Sequence, residues 1–156
     1  MKMEMLKVSN LTKKFGDLTA VNNMSFSIEK KQLVTFLGPS GSGKTTLLRN
    51  IGGFVQPDEG DIYLEGESIV NLPPNKRRTS TVFQNLALFP HMNVERNIEY
   101  GLKLRGVDKE TRKKQVEQML ELVKLKGYNE RSVTTLSGGE KRRVALARAL
   151  ITEPAI

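Results

Sequence analysis

The sequence predicts an α/β fold. Three observations carry that prediction. Residues 33–37, Leu-Val-Thr-Phe-Leu, form a nearly unbroken apolar run, which suits a strand covered on both faces as in a parallel sheet. A glycine-rich loop and a helical pattern follow it directly. Further on, apolar residues recur at helical spacing over a long stretch. The order is β-rich, then strand–loop–helix, then mostly helical, then one more helix.

Residues 4–8 and 18–28 read as strands, the second alternating through Met24, Phe26 and Ile28. The buried run 33–37 is ended by Gly38. A helix is expected from near Gly43 through Leu47, Leu48 and Ile51, with Gly52 and Gly53 as its stop. Gln56-Pro57-Asp58-Glu59-Gly60 is a turn signal, residues 61–66 alternate as a strand, and Pro73-Pro74-Asn75 marks a loop. Residues 79–83 are a second short buried-strand candidate, ending at Gln84. A helix over 94–104 is expected to be broken by Gly101 and stopped by Gly106. Asp108 is a good N-cap for a stronger helix, in which Val116, Met119, Leu120 and Val123 make one apolar stripe and Gly127 the end. The last helix begins after Ser137, carries Val144, Leu146, Ala147, Leu150 and Ile151, and is stopped by Pro154.

Composition narrows the class of function. The 156 residues suffice for one domain with a core, and there are no cysteines, which excludes disulfides and thiolate metal sites. No run of 18 apolar residues occurs, and the first ten residues lack the pattern of a secretory signal, so a cytosolic setting is expected. The net charge is +8, but the basic pairs and triplets are scattered and no aromatic residues interleave them. That favours a solvated basic surface over a nucleic-acid platform, and no nucleic-acid partner is expected.

Residues 38–45, Gly-Pro-Ser-Gly-Ser-Gly-Lys-Thr, fit the phosphate-binding pattern G-x-x-x-x-G-K-[ST]. Its glycines let the chain curl so that successive N–H groups face an anion, and the following helix offers its positive end to the same charge. Lys44 brings an ammonium to the β- and γ-phosphates, and Thr45 a hydroxyl to Mg²⁺. A chance match in a chain of this length is on the order of one in 200, and the strand before and helix after improve on that. Residues 136–140, Leu-Ser-Gly-Gly-Glu, lie just before another helix. There Ser137 is either a plain N-cap or, with the free N–H groups of Gly138 and Gly139, part of a second anion site.

Together the two motifs resemble the nucleotide-binding subunits of ABC transporters. Residues 38–45 resemble that family's Walker A loop, and 136–140 its signature, with Glu140 where glutamine is usual. Gln84 matches the Q-loop glutamine and Phe15 the aromatic that stacks on adenine; residues 143–150 are also typical. The segments 72–77, 82–84 and 87–91 look like importer ATPases, those for polyamines first, and also those for iron, sulfate, maltose and phosphonate.

The resemblance implies a P-loop NTPase core with a partial, mostly parallel sheet, an N-terminal antiparallel β subdomain and a helical subdomain. Residues 1–84 would be the ATP-binding core with the β subdomain, 85–135 the helical subdomain, and 136–156 the signature and its helix. ATP and Mg²⁺ would be bound by Phe15, Gly38, Pro39, Ser40, Gly41, Ser42, Gly43, Lys44, Thr45 and Thr46. Ser137, Gly138, Gly139 and Glu140 would face the nucleotide held by a second copy in a head-to-tail dimer. Lys44 and Gln84 would be catalytic, with Thr45 and Gln84 on the metal. Membrane permease subunits, and indirectly a substrate-binding protein, would be the other partners, at the cytoplasmic face of the membrane. His91, the single histidine, reads as a loop residue.

The family pattern continues with an apolar strand ending in Asp (Walker B) and a catalytic Glu, which do not occur in the chain. An N-terminal fragment with little hydrolysis of its own is therefore expected. Two other readings compete: a soluble ABC-type ATPase acting on nucleic acid, and an unrelated P-loop module, against which residues 136–140 argue.

Overall fold

A computed structural model describes residues 4–156, which divide into two compact units, residues 4–79 with 155–156 and residues 80–154. The first unit is built on an antiparallel sheet of order β2-β1-β3-β4, formed by β1 (Glu4–Phe15), β2 (Leu18–Glu29), β3 (Glu59–Leu64) and β4 (Glu67–Ser68). Opposite Leu6 lie Ile28 on β2 and Leu64 on β3; opposite Val8 lie Phe26 and Ile62. Leu6 and Val8 point to the core, and so does Leu11, an odd number of residues later. A bulge makes this possible: the register slips between Val8 and Leu11, and Asn10 takes φ 51°. One extra residue moves the following side chains to the other phase of the pleat.

Helix α1 (Lys44–Gly52) lays Leu47 and Ile51 into the same core as Leu6, Val8, Leu11, Ile62 and Leu64. At the helix end the Phe54 N–H reaches the Arg49 carbonyl and the Gly53 N–H that of Asn50. Arg77, a buried arginine, adds a second donor to Asn50 O and serves Ile51 O and two loop carbonyls. Its guanidinium donates to Asn50 O at 2.7 Å, Ile51 O at 2.8 Å, Leu72 O at 2.8 Å and Val70 O at 2.8 Å. Burial lowers its pKa from the ordinary value, yet an arginine starts so high that it keeps its charge. A cation at a helix C-terminus is also favoured by the helix dipole.

The second unit is helical. Helices α2 (Val94–Leu104), α3 (Lys109–Leu122) and α4 (Gly138–Leu150) share a core of Val94, Ile98, Leu102, Val116, Leu120 and Val144 with their neighbours. Each helix is started by a polar cap: Asn93 Oδ1 accepts from Arg96 N, Asp108 Oδ1 from Thr111 N, and Ser137 Oγ from Glu140 N.

Several sequence expectations need correction. The α/β class stands, but the described sheet is antiparallel throughout. Neither 33–37 nor 79–83 forms a strand, and Leu33 and Leu37 are 93% and 89% exposed. A strand exists through ladders to its neighbours, and neither run has one among the described residues; apolar composition alone does not supply it. Phe36 instead packs edge-on against Phe26, ring centres 5.4 Å apart. Gly101 does not break α2. A Cβ there would lie 2.6 Å from Thr152 Cγ2, so the glycine admits a close contact while the helix runs on. Helix α3 stops at Leu122, before Gly127. Lys124 takes φ 57°, and the Leu125 N–H bonds to Leu120 O at 2.8 Å. That is a left-handed closure in which buried Leu125 returns to the core.

Replacing Arg77 by methionine keeps the volume and removes every donor. We expect a loss of about 3 kcal/mol, seen as a thermal midpoint lower by roughly 6–12 °C; an unchanged midpoint would show that the four carbonyls find water instead.

Candidate functional site

The loop before α1 is shaped by its lysine. Lys44 Nζ donates to Gly38 O at 2.7 Å, Pro39 O at 2.6 Å and Ser42 Oγ at 3.1 Å, so residues 38–42 wrap around one ammonium. Gly43 sits at the N-cap with φ 85° and offers no side chain to cap the helix. The first N–H groups of α1 are thus left without a side-chain acceptor, the arrangement that favours an anion. Only glycine fits here: a Cβ at Gly43 would lie 2.1 Å from the Ala20 carbonyl of β2. Thr45 is exposed and Thr46 half-buried on the first turn, and Ser40, Gly41 and Ser42 are exposed. Residues 38–46 thus lie together around a helix start that no side chain caps.

Phe15 closes the β1–β2 hairpin opposite Leu18, and the residue is 50% exposed. The same hairpin carries Ala20, against which Gly43 rests, so the ring and the loop belong to one end of the first unit. Lys13 Nζ lies 5.3 Å from the ring centre and pairs with Asp58 at 2.9 Å. Asp58 also accepts the Lys14 N–H at 2.6 Å, and these bonds hold its pKa below the usual carboxylate range.

In the second unit, Gln84 is exposed at the start of a turn over residues 84–87. Leu86 and Ala87 both take left-handed backbone angles, φ 61° and 44°. Arg148 of α4 donates to both of their carbonyls, at 2.8 and 2.7 Å. Next along the chain, Phe89 is gripped by Asn97, a fully buried residue of α2: Asn97 Oδ1 accepts from Phe89 N at 2.8 Å and Nδ2 donates to Phe89 O at 3.1 Å. Neither Arg148 nor Asn97 was singled out from the sequence. The available signal was a polar residue at the apolar phase of a helix, Asn97 beside Val94 and Ile98 and Arg148 one turn after Val144. His91 lies in the loop before α2, 6.2 Å from the Phe89 ring, as expected of a loop residue.

At residues 136–140 the structure shows a capping box. Ser137 Oγ accepts from Glu140 N, and Glu140 Oε2 accepts from Ser137 N at 2.7 Å. Tyr128 adds a third bond, its hydroxyl donating to Glu140 Oε1 at 2.9 Å. These bonds pull the Glu140 pKa down to about 2. The carboxylate is thus occupied with its own helix start, while Gly138 and Gly139 stay exposed with open space where a Cβ would be. Ser137 accepts through its oxygen, which leaves its hydroxyl proton available to an incoming acceptor.

The sequence pattern described as ABC transporter matches residues 21–156. The chain belongs to the ABC transporter family. Among curated relatives of this ABC chain is the spermidine/putrescine import ATP-binding protein of Acetivibrio thermocellus, 50% identical over 97% of the chain. The chain spans 43% of that relative's length. Solved ABC structures agree. A dimeric ATP-binding cassette in a post-hydrolysis state, bound to ADP and Pi, superposes with a TM-score of 0.84 at 33% identity, covering 96% of this chain and 71% of that one. An ATP-binding cassette of an ABC transporter in its ADP conformation gives 0.80 at 31% identity, covering 97% and 66%. No helix among the described residues is long and apolar enough to cross a membrane.

The acidic limb of stability tests the capping box. Glu140 is held ionised in the folded state, so its contribution is full above about pH 4.5 and fades as pH falls toward 2. Glu140→Gln should flatten the fall of the thermal midpoint between pH 5 and pH 2, and Ser137→Ala should cost about 1 kcal/mol at neutral pH. A Glu140→Gln profile parallel to that of the unsubstituted chain would count against this role.

Proposed function

We propose that this chain is the ATP-binding part of an ABC importer's ATPase subunit, which couples ATP binding and hydrolysis to uptake of a polyamine. The observation that carries the nucleotide reading is the loop 38–43 folded around the Lys44 ammonium at the uncapped start of α1. The polyamine is suggested by the 50% identical relative and is the finer part of the proposal; iron, sulfate, sugar and phosphonate importers are its alternatives.

The residues present fit Mg–ATP. The N–H groups of the loop and of the first turn of α1 bind phosphate oxygens, and Gly43 lets the loop approach β2 closely enough to aim them. Lys44 exchanges loop carbonyls for β- and γ-phosphate oxygens. Thr45 would give its hydroxyl to the metal from the loop, and Gln84 would be a second ligand that also orients the attacking water. When bound, Mg²⁺ neutralises charge building on the phosphates. Phe15 offers an exposed face to adenine, and Lys13, held by Asp58, keeps that ring oriented. Across a head-to-tail dimer the Ser137 hydroxyl and the Gly139 N–H reach the γ-phosphate on the partner, and Glu140 fixes the helix that presents them. The importer setting places the subunit on the cytoplasmic face of the membrane, against permease subunits and peripheral to the bilayer.

Two variants of the complete subunit separate these roles. Lys44→Ala should weaken ATP binding about tenfold or more, the loss of a charge-assisted contact. Gln84→Ala should leave ATP affinity within about twofold and lower turnover roughly a hundredfold. Unchanged ATP binding by Lys44→Ala, measured by calorimetry, would overturn the phosphate-loop assignment. Polyamine uptake by vesicles carrying the assembled importer tests the substrate, and uptake of a different solute alone would replace it.

A further inference from the structure

We propose that Arg148 is a positioning residue: from the helix that follows the signature segment, it fixes the backbone turn that carries Gln84 of the same chain. The inference rests on the reading of Gln84 given above, and it concerns only the second unit.

Two consecutive non-glycine residues in left-handed angles are an uncommon arrangement, because each sets a Cβ close to its own backbone. Leu86 and Ala87 do this, two and three residues after Gln84. Such a turn persists where the surroundings hold it. In a left-handed pair the two carbonyls point the same way, and a planar guanidinium can meet both at once. Arg148 does so, with NH2 2.8 Å from Leu86 O and NH1 2.7 Å from Ala87 O.

The guanidinium also faces the Phe89 ring at 5.3 Å, and that ring packs on Tyr100 at 4.7 Å. Asn97 closes the downstream end through its paired bonds to Phe89. The segment is therefore tied to α4 at 86–87 and to α2 at 89, and its free end is exposed Gln84. No carboxylate pairs with Arg148 among the described residues; its donors serve backbone. Movement of the signature helix is thus passed to the turn, and the reach of Gln84 follows α4. A lysine cannot replace this fork, because one ammonium on a flexible stem does not hold two carbonyls in fixed relation.

The test uses the complete ATPase subunit assembled with its membrane partner. Arg148→Lys should lower turnover about tenfold, with ATP affinity and KM within twofold, since the phosphate loop lies on the other unit. Adding Ala87→Gly to Arg148→Lys should restore most of the rate, because glycine enters the left-handed region without a Cβ clash. A role in helix packing alone gives no such rescue, and absence of rescue overturns the proposal. Gln84→Ala combined with Arg148→Lys should be no slower than Gln84→Ala alone.

Ala87→Pro supplies a variant that keeps Arg148 and alters only an exposed position. It imposes a negative φ on the turn and should slow turnover as Arg148→Lys does; a lower thermal midpoint is expected from the incompatible backbone, with helical circular dichroism retained as the sign that the unit still folds. A wild-type rate for Ala87→Pro overturns the proposal even where Arg148→Lys fails to fold. If Gln84→Ala is slow while Arg148→Lys is not, the positioning role falls and the functional reading stands. If Gln84→Ala turns over at the wild-type rate, the reading of Gln84 falls and the positioning role with it.

Discussion

Carbonyl oxygens that leave regular structure must find donors, and in this chain cationic side chains supply them at the places that matter. Arg77 gathers four carbonyls from the end of α1 and the segment after β4. Lys44 gathers two from the loop before α1. Arg148 gathers two from the turn after Gln84. Each is a charge placed where a neutral donor would hold less firmly, since bonds from an ionised donor are the stronger ones. Helix α1 lies between two of these sites, with its start bound to the loop and its end to Arg77. The nine-residue helix that opens the candidate phosphate site is therefore held at both of its ends.

This changes how the net charge of +8 is understood. Read as a number, it raises the question of nucleic acid. In the structure some of the cations are committed to backbone, and others pair with acids, as Arg112 does with Glu99 at 2.7 Å. A count of formal charges treats all of these as surface. The structure separates the cations that face solvent from those that shape loops.

The legible parts of the sequence were those fixed by local chemistry. The caps at Asp108 and Ser137, the hairpin strands and the helix after Gly43 follow from residues within a few positions of one another. The loop at residues 38–45 was legible because its glycines and lysine must be adjacent in sequence to be adjacent in space. What was not legible depended on distant partners. Residues 33–37 have the composition of a buried strand, but a ladder depends on what lies alongside. Gly101 looked like a break because Thr152, fifty-one residues away, was not in view. Lys124 ends α3 early because Leu125 has a place in the core, which no local propensity encodes. Arg148 and Asn97 were visible only as polar residues at the wrong phase, and their targets lie in a turn with no regular pattern.

One contact between backbones has a consequence for discrimination. The missing methyl at Gly43 lets α1 begin directly on the Ala20 carbonyl of β2, and the hairpin containing β2 ends in the exposed ring of Phe15. The interval from ring to loop is thus set by main chain resting on main chain. A side-chain spacer would drift with every substitution, and its rotamers would blur the interval. On the proposed reading, in which Phe15 takes an aromatic base and the loop its phosphates, this contact would fix the backbone span between them and leave only the ring's own rotamers free. The exposed positions of the hairpin can vary without altering that contact, whereas Leu6, Val8, Leu11, Val21 and Ile28 are held by the core, and position 43 must add no atom to it.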